Sequence, residues 1–210
     1  MISLSEDQIH LWQGTLSEIL PRVQLEHLSD PEQTKASSLR NMKMQTQFLV
    51  SRWLTRHVLS RYLQITPADI PFSQSENGKP DIDGTPIKFN RSHSGDRIVL
   101  AIGSGTPVGV DIEAITERPQ MAGIVQRWFE LEEQEKFLSL PESQRLAFFY
   151  SGWTEKEAVL KAWGFGLSRL SVYSKTRAIS SVEIFTPSAG SAGCVAWASR
   201  EAKTVSFYSI

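Results

Sequence analysis

The chain has 210 residues, 40% hydrophobic and 21% charged, proportions that fit a folded protein with a substantial core and exclude disorder. Its 22 Lys and Arg against 23 Asp and Glu give a net charge of −1, which argues against nucleic acid as a partner. The single cysteine, Cys194, excludes an internal disulfide and a multi-Cys metal site.

At the start, MISLSEDQIHLWQG carries acids and no basic n-region, so no secretory leader is expected and a reducing, cytoplasmic setting is. No apolar run approaches a membrane span. Residues 35–64 predict one or two helices, with Val50, Leu54, Val58 and Tyr62 recurring every fourth position. The stretch 66–90, including SENGKPDIDGTP, reads as turns and hairpins. Short strands are expected at Ile87–Asn90, Ile98–Ile102 and Val108–Glu113, the last two joined as a hairpin by GSGTP. Residues 119–139 read as helical. A further helix spans 145–163 and stops at Gly164 and Gly166. The tail offers strands near Val182–Phe185, Cys194–Ala198 and Val205–Tyr208. Charge divides along the chain. Residues 31–64 carry an excess of five positive charges, and residues 111–157 an excess of five negative ones. A polyanion site beside a cation site would produce that division, and so would drift between solvated helix faces.

Four groups of residues could carry chemistry. In V-G-V-D-I-E, strand alternation puts Asp111 and Glu113 on one face, where they could share a hard cation such as Mg²⁺, or simply form the wet face of an edge strand. In W-T-E-K-E-A-V-L-K-A-W-G-F-G-L, helical spacing aligns Trp153, Glu157 and Lys161. Glu157 could complete a carboxylate triad and Lys161 meet a phosphate, or the two could be a surface ion pair. Glu155 and Lys156 are expected to be solvated. N-G-K-P presents Lys79 on a constrained turn. In F-N-R-S-H-S-G, Ser92 and His93 could hold a phosphate, or His93 could be an ordinary edge histidine. A Ser–His nucleophile pair is disfavoured, since neighbours on a strand face opposite ways and no G-x-S-x-G elbow occurs. Neither a P-loop nor a Rossmann glycine motif is present.

Taken in order, N-G-K-P, N-x-S-H-S-G, G-V-D-I-E and W-T-x-K-E-A-x-x-K-A-x-G-x-G-L resemble the 4′-phosphopantetheinyl transferase superfamily in its double-length kind, over about residues 31–170. The resemblance implies a pseudo-twofold α+β fold of two similar subdomains, residues 1–105 on the coenzyme A nucleotide side and 106–210 bearing the metal carboxylates, with the cleft between them. It implies transfer of the phosphopantetheine arm of coenzyme A to a serine of an apo acyl or peptidyl carrier protein, with release of 3′,5′-ADP. Asp111, Glu113 and Glu157 would hold Mg²⁺, with Mn²⁺ also suited to oxygen ligands. Glu157 would serve as general base and Lys161 would stabilise phosphate charge. Lys79 and Pro80 correspond to the nucleotide-flanking turn, Ser92 and His93 to binders of the 3′-phosphate, and Lys35 to a basic residue for the same phosphate. Arg52 joins these by its helix position alone. Arg91 stands where the family usually has an aliphatic residue. Pointing away from Ser92, it would meet solvent, another phosphate or a carrier. Carrier docking is expected on the 119–139 helix through Met121, Ile124, Val125, Arg127 and Trp128, and a monomer is expected, since one chain supplies both halves of the cleft. Two other readings of the same residues are a pyrophosphohydrolase acting on coenzyme A or a nucleotide, and a non-catalytic carrier-binding module.

Overall fold

A computed structural model describes residues 2–75 and 77–210. Glu76, within the turn-rich stretch, and the side chains of Leu167, which ends the helical motif, and Ser168 lie outside the described residues. The strands are β1 (Gln8–Thr15), β2 (Phe72–Gln74), β3 (Pro80–Ile82), β4 (Ile87–Ser94), β5 (Arg97–Ser104), β6 (Val108–Ala114), β7 (Ser181–Phe185), β8 (Ser191–Trp197) and β9 (Thr204–Ser209). The α-helices are α1 (Leu16–Ile19), α2 (Asp30–Ser38), α3 (Met42–Leu63), α4 (Met121–Trp128), α5 (Leu131–Ser139), α6 (Glu142–Ala162) and α7 (Tyr173–Arg177). Among the described residues, no helix is long and apolar enough to cross a membrane.

The α+β architecture repeats. The first half runs strand, long helix, two strands, and its sheet is ordered β4-β5-β1. The second half runs β6, α6, β7, β8, and its sheet is ordered β7-β8-β6. Neighbours within each trio are antiparallel. Each long helix covers one face of its own sheet. The helix α3 begins where the Asn41 side chain accepts the Met44 N–H at 3.1 Å, and ends at Gln64, whose φ of 57° terminates it. It buries Val50, Trp53, Leu54 and Val58 against Trp12, Ile98 and Leu100. The helix α6 places Ala158, Val159 and Ala162 against Cys194 and Ala196 of β8. The remaining faces, Ile9, Leu11, Val99 and Ala101 from one sheet and Val108, Val110, Ile112 and Val195 from the other, pack on each other. That central layer holds the halves together by burial, at roughly 1.5–3 kcal/mol for each large aliphatic side chain.

Three expectations change. The strands flanking GSGTP do not form a hairpin. Both edges of β5 are occupied by β1 and β4, so β6 leaves for the other sheet and pairs with β8, and the loop becomes the crossover between halves. The division at residue 105 fails for the last strand, because β9 pairs parallel to β1 inside the first sheet. The 119–139 helix is broken in two. Phe129 turns extended and buries itself, while Glu130 and Glu133 cap the new helix reciprocally, the Glu130 N–H donating to Glu133 Oε2 at 2.7 Å.

Candidate active site

Gly109 determines where α6 lies. A Cβ there would sit 2.0 Å from the Ala158 carbonyl oxygen and 2.3 Å from the Ala162 nitrogen. Only glycine lets the helix backbone rest on β6 at this point. That contact brings Glu157 and Lys161 above the strand face carrying Asp111 and Glu113. One carboxylate oxygen from each of Asp111, Glu113 and Glu157 lies within 4.8 Å of the others. The Lys161 ammonium donates to Asp111 Oδ1 at 2.6 Å and lies 3.2 Å from Glu157 Oε2. Burial pulls its pKa down, but the two carboxylates more than offset this and raise it, so it stays charged. Burial raises Asp111 to about 7, with Lys161 pulling it down and Glu157 pushing it up. Asp111 Oδ2 is buried and has no hydrogen-bond partner. An unpartnered buried carboxylate oxygen is costly unless a ligand completes it.

The strand β4 runs beside β6, and its side chains take the place of a missing backbone ladder. Asn90 Oδ1 accepts the Val110 N–H at 2.9 Å, Ser92 Oγ the Ile112 N–H at 3.3 Å, and Ser94 Oγ the Ala114 N–H at 3.0 Å. Ser92 Oγ also donates to Asp111 Oδ1 at 2.8 Å, and Ser94 Oγ to Glu113 Oε2 at 2.9 Å. The sequence motifs contain Asn90, Ser94 and Gly109 but give them no role. The signal for them lies in the polar residues at every second position of one strand, N-x-S-x-S, opposite a glycine-bearing strand.

The other expected residues divide. Lys79 reaches across the halves, its ammonium donating to the carbonyls of Val108 (2.8 Å), Lys161 (2.7 Å) and Ala162 (3.2 Å). It thus caps the C-terminal end of α6, where a cation is favoured, and burial brings its pKa down to about 8. Gly78, at φ 77°, makes the preceding turn. Asn77, Lys79, Pro80, Asn90, Lys161 and Gly164 line a cavity of about 200 Å³ beside the carboxylates. A second, of about 330 Å³, opens from the same Lys79–Pro80 turn toward Lys88, Phe89 and Trp163. His93 is exposed on β4, with Gln47 Nε2 against its ring at 2.9 Å. Although the residue is exposed, partial desolvation of its ring by neighbouring groups is the main influence lowering its pKa. Arg52 is half-exposed, 3.7 Å from Glu32, and Lys35 is exposed on α2 with no ion pair among the described residues.

Two expectations are corrected. Arg91 turns away from Ser92 but does not face solvent. Its Nη1 donates to the Ser51 carbonyl (2.9 Å) and Thr55 Oγ1 (2.7 Å), tying β4 to α3, and burial lowers its pKa to about 10. Lys156 is wholly buried rather than solvated. Its ammonium donates to both Glu133 oxygens (2.7 and 2.6 Å) and lies 4.5 and 4.2 Å from the ring centroids of Phe129 and Tyr173. Glu155 accepts from Tyr173 and Arg177 and is half-buried. On the proposed docking helix, Arg127 is exposed and lies over Trp128, while Val125 is buried in the core.

A model described as the 4′-phosphopantetheinyl transferase superfamily matches residues 107–206, and one described as 4′-phosphopantetheinyl transferase, N-terminal, matches residues 10–104. The chain is 30% identical over 177 residues to 4′-phosphopantetheinyl transferase HetI of Nostoc sp., covering 80% of this chain and 74% of the relative. It is 41% identical over 116 residues to 4′-phosphopantetheinyl transferase ffp of Bacillus subtilis, covering 55% and 50%. To 4′-phosphopantetheinyl transferase Sfp of Bacillus subtilis it is 39% identical over 116 residues, also covering 55% and 50%, so its matches span about half the length of the latter two.

Proposed function

The chain belongs to the 4′-phosphopantetheinyl transferase superfamily, and from that premise we propose that it transfers the 4′-phosphopantetheine arm of coenzyme A to a serine of an apo acyl or peptidyl carrier protein, releasing 3′,5′-ADP. The observation that carries the reading is the convergence of Asp111, Glu113 and Glu157 from two distant segments, with Asp111 Oδ2 buried and unpartnered. Hard oxygen donors at this spacing suit Mg²⁺ or Mn²⁺, and the orphaned oxygen fits a cation. A divalent cation held there would neutralise charge on the pyrophosphate.

The chain's own groups supply the rest of the mechanism. Lys161, kept charged by its two carboxylates, faces the phosphate that bears the developing charge. Glu157, half-buried at the mouth of the cleft, accepts the proton of the incoming serine directly or through a water. The Lys79–Pro80 turn walls the nucleotide cavity. Its ammonium, engaged by three carbonyls, holds α6 rather than a phosphate. The 3′-phosphate falls to His93, Arg52 and Lys35 at the basic end. The proposal includes a monomer, because one chain supplies both walls of the cleft, and a cytoplasmic setting, in keeping with the single buried cysteine.

Incubation with coenzyme A, Mg²⁺ and a panel of apo carriers should add the mass of phosphopantetheine to one of them. Asp111→Ala should abolish the addition with an unchanged circular dichroism spectrum, and retained turnover would overturn the assignment. Release of 3′,5′-ADP with no carrier modified would indicate hydrolysis instead.

A further inference from the structure

The N-x-S-x-S side chains of β4 all contact the seam between the halves, and the two serines also contact the carboxylates. A serine hydroxyl has one proton to donate. That of Ser92 is engaged by Asp111 Oδ1 while its oxygen accepts the Ile112 N–H, and the residue is only 8% exposed. No proton remains for a phosphate. Ser94 repeats the arrangement two residues on, donating to Glu113 Oε2 and accepting the Ala114 N–H. Asp111 Oδ1 therefore receives two donors, Ser92 and Lys161, while Oδ2 receives none. The carboxylate is held by one oxygen and presents the other.

We infer that Ser92 and Ser94 are positioning residues for the carboxylates Asp111 and Glu113, setting the orientation in which these receive a divalent cation, in place of the phosphate-binding role expected for Ser92. This rests on the transferase reading for the cation's purpose, but not for its measurement. Their backbone acceptor function is shared with Asn90, which bonds the Val110 N–H and touches no carboxylate of the cluster. The three side chains thus separate two roles. All three join β4 to β6, and only the serines also orient carboxylates.

The test is Mn²⁺ titration of the full chain by electron paramagnetic resonance, without coenzyme A or carrier, together with thermal melts. Ser92→Ala and Ser94→Ala should each weaken Mn²⁺ binding about 10–100-fold, the usual effect of removing a hydrogen bond to a metal-ligating group. Ser94→Thr, which keeps the hydroxyl at a half-buried position, should restore the affinity. Asn90→Ala should lower the melting temperature and leave Mn²⁺ affinity as in the unaltered chain. A second readout compares kcat/KM for coenzyme A and for 3′-dephospho-coenzyme A. The serine variants should lose rate on both and keep their ratio, whereas loss of a 3′-phosphate ligand would collapse it. Unaltered Mn²⁺ affinity in both serine-to-alanine variants, an equal loss in Asn90→Ala, or a collapsed ratio overturns the inference. Should Ser92→Ala fail to fold, Ser94→Ala decides the same question from a less buried site. Failure of the unaltered chain to modify any carrier would strike the transferase reading alone, since the titration needs no carrier.

Discussion

Substituting Gly109→Ala adds one methyl group at the point where α6 rests on β6. The new Cβ would lie 2.0 Å from the Ala158 carbonyl oxygen, and ordinary contact begins near 3.4 Å. The backbone of α6 must therefore withdraw by about 1.4 Å, because no flexible side chain is there to yield. Lys161 and Glu157 ride on that helix. Such a shift would stretch the 2.6 Å Lys161–Asp111 contact to about 4 Å, beyond hydrogen-bond reach. Overpacking of this kind costs about 1–3 kcal/mol, a fall of roughly 2–12 °C in melting temperature at this chain length. A catalytic group displaced by about 1 Å costs on the order of 100-fold in rate. The assay is initial-rate formation of holo-carrier by mass spectrometry, with a thermal melt alongside. Gly123→Ala is the comparison for stability. It lies on α4 with nothing within 4 Å of an added Cβ, and should raise stability by about 1 kcal/mol. Should Gly109→Ala keep its melting temperature and a rate within about threefold, the close approach of α6 to β6 does not position the site and the reasoning fails.

Three further outcomes follow from other contacts. Lys156→Met strands Glu133 beside Phe129 and should cost about 2–4 kcal/mol in urea unfolding, below the full penalty for a broken buried pair because the Glu133 side chain is 30% exposed. Adding Glu133→Gln should return part of the loss. Arg127→Glu should raise the apparent KM for the carrier several-fold and leave that for coenzyme A unchanged, and an unchanged carrier KM would remove α4 from the docking surface. His10 is buried, with Tyr62 hydroxyl at 2.8 Å from Nδ1, and burial lowers its pKa below 6.5. The unfolded chain then binds more protons over the interval just below pH 6.5, so the stability His10 contributes is present above 6.5 and is lost as pH falls through the folded value. The gap in melting temperature between the native chain and His10→Gln should shrink from pH 7.5 to 5.5, and a constant gap would contradict the assignment.

Much of the site is legible in the sequence because its chemistry is carried by local periodicities. Strand alternation pairs Asp111 with Glu113, and helical spacing aligns Glu157 with Lys161. What the periodicities do not encode is which edge a strand finds. The GSGTP loop has hairpin composition, yet β5 already has two partners. Lys156 and Lys79 resemble surface residues in any charge count. Their burial depends on Phe129, Tyr173 and the end of α6, which only the tertiary fold brings to them. Alternation also points Arg91 away from Ser92, but the neighbour on that side, α3, lies 40 residues earlier in the chain.

The return of β9 to the first sheet works as a clasp. Its six residues lie along β1, with Tyr208 stacked on Trp12 at 4.7 Å between ring centroids. A fragment ending at the crossover loop would leave β1 as a raw edge with unpaired backbone groups, the kind of surface that recruits foreign strands. The first sheet is therefore complete only once the last residues of the chain have been made and folded back. Cutting the chain before β9 should accordingly unsettle the sheet built from its opposite end.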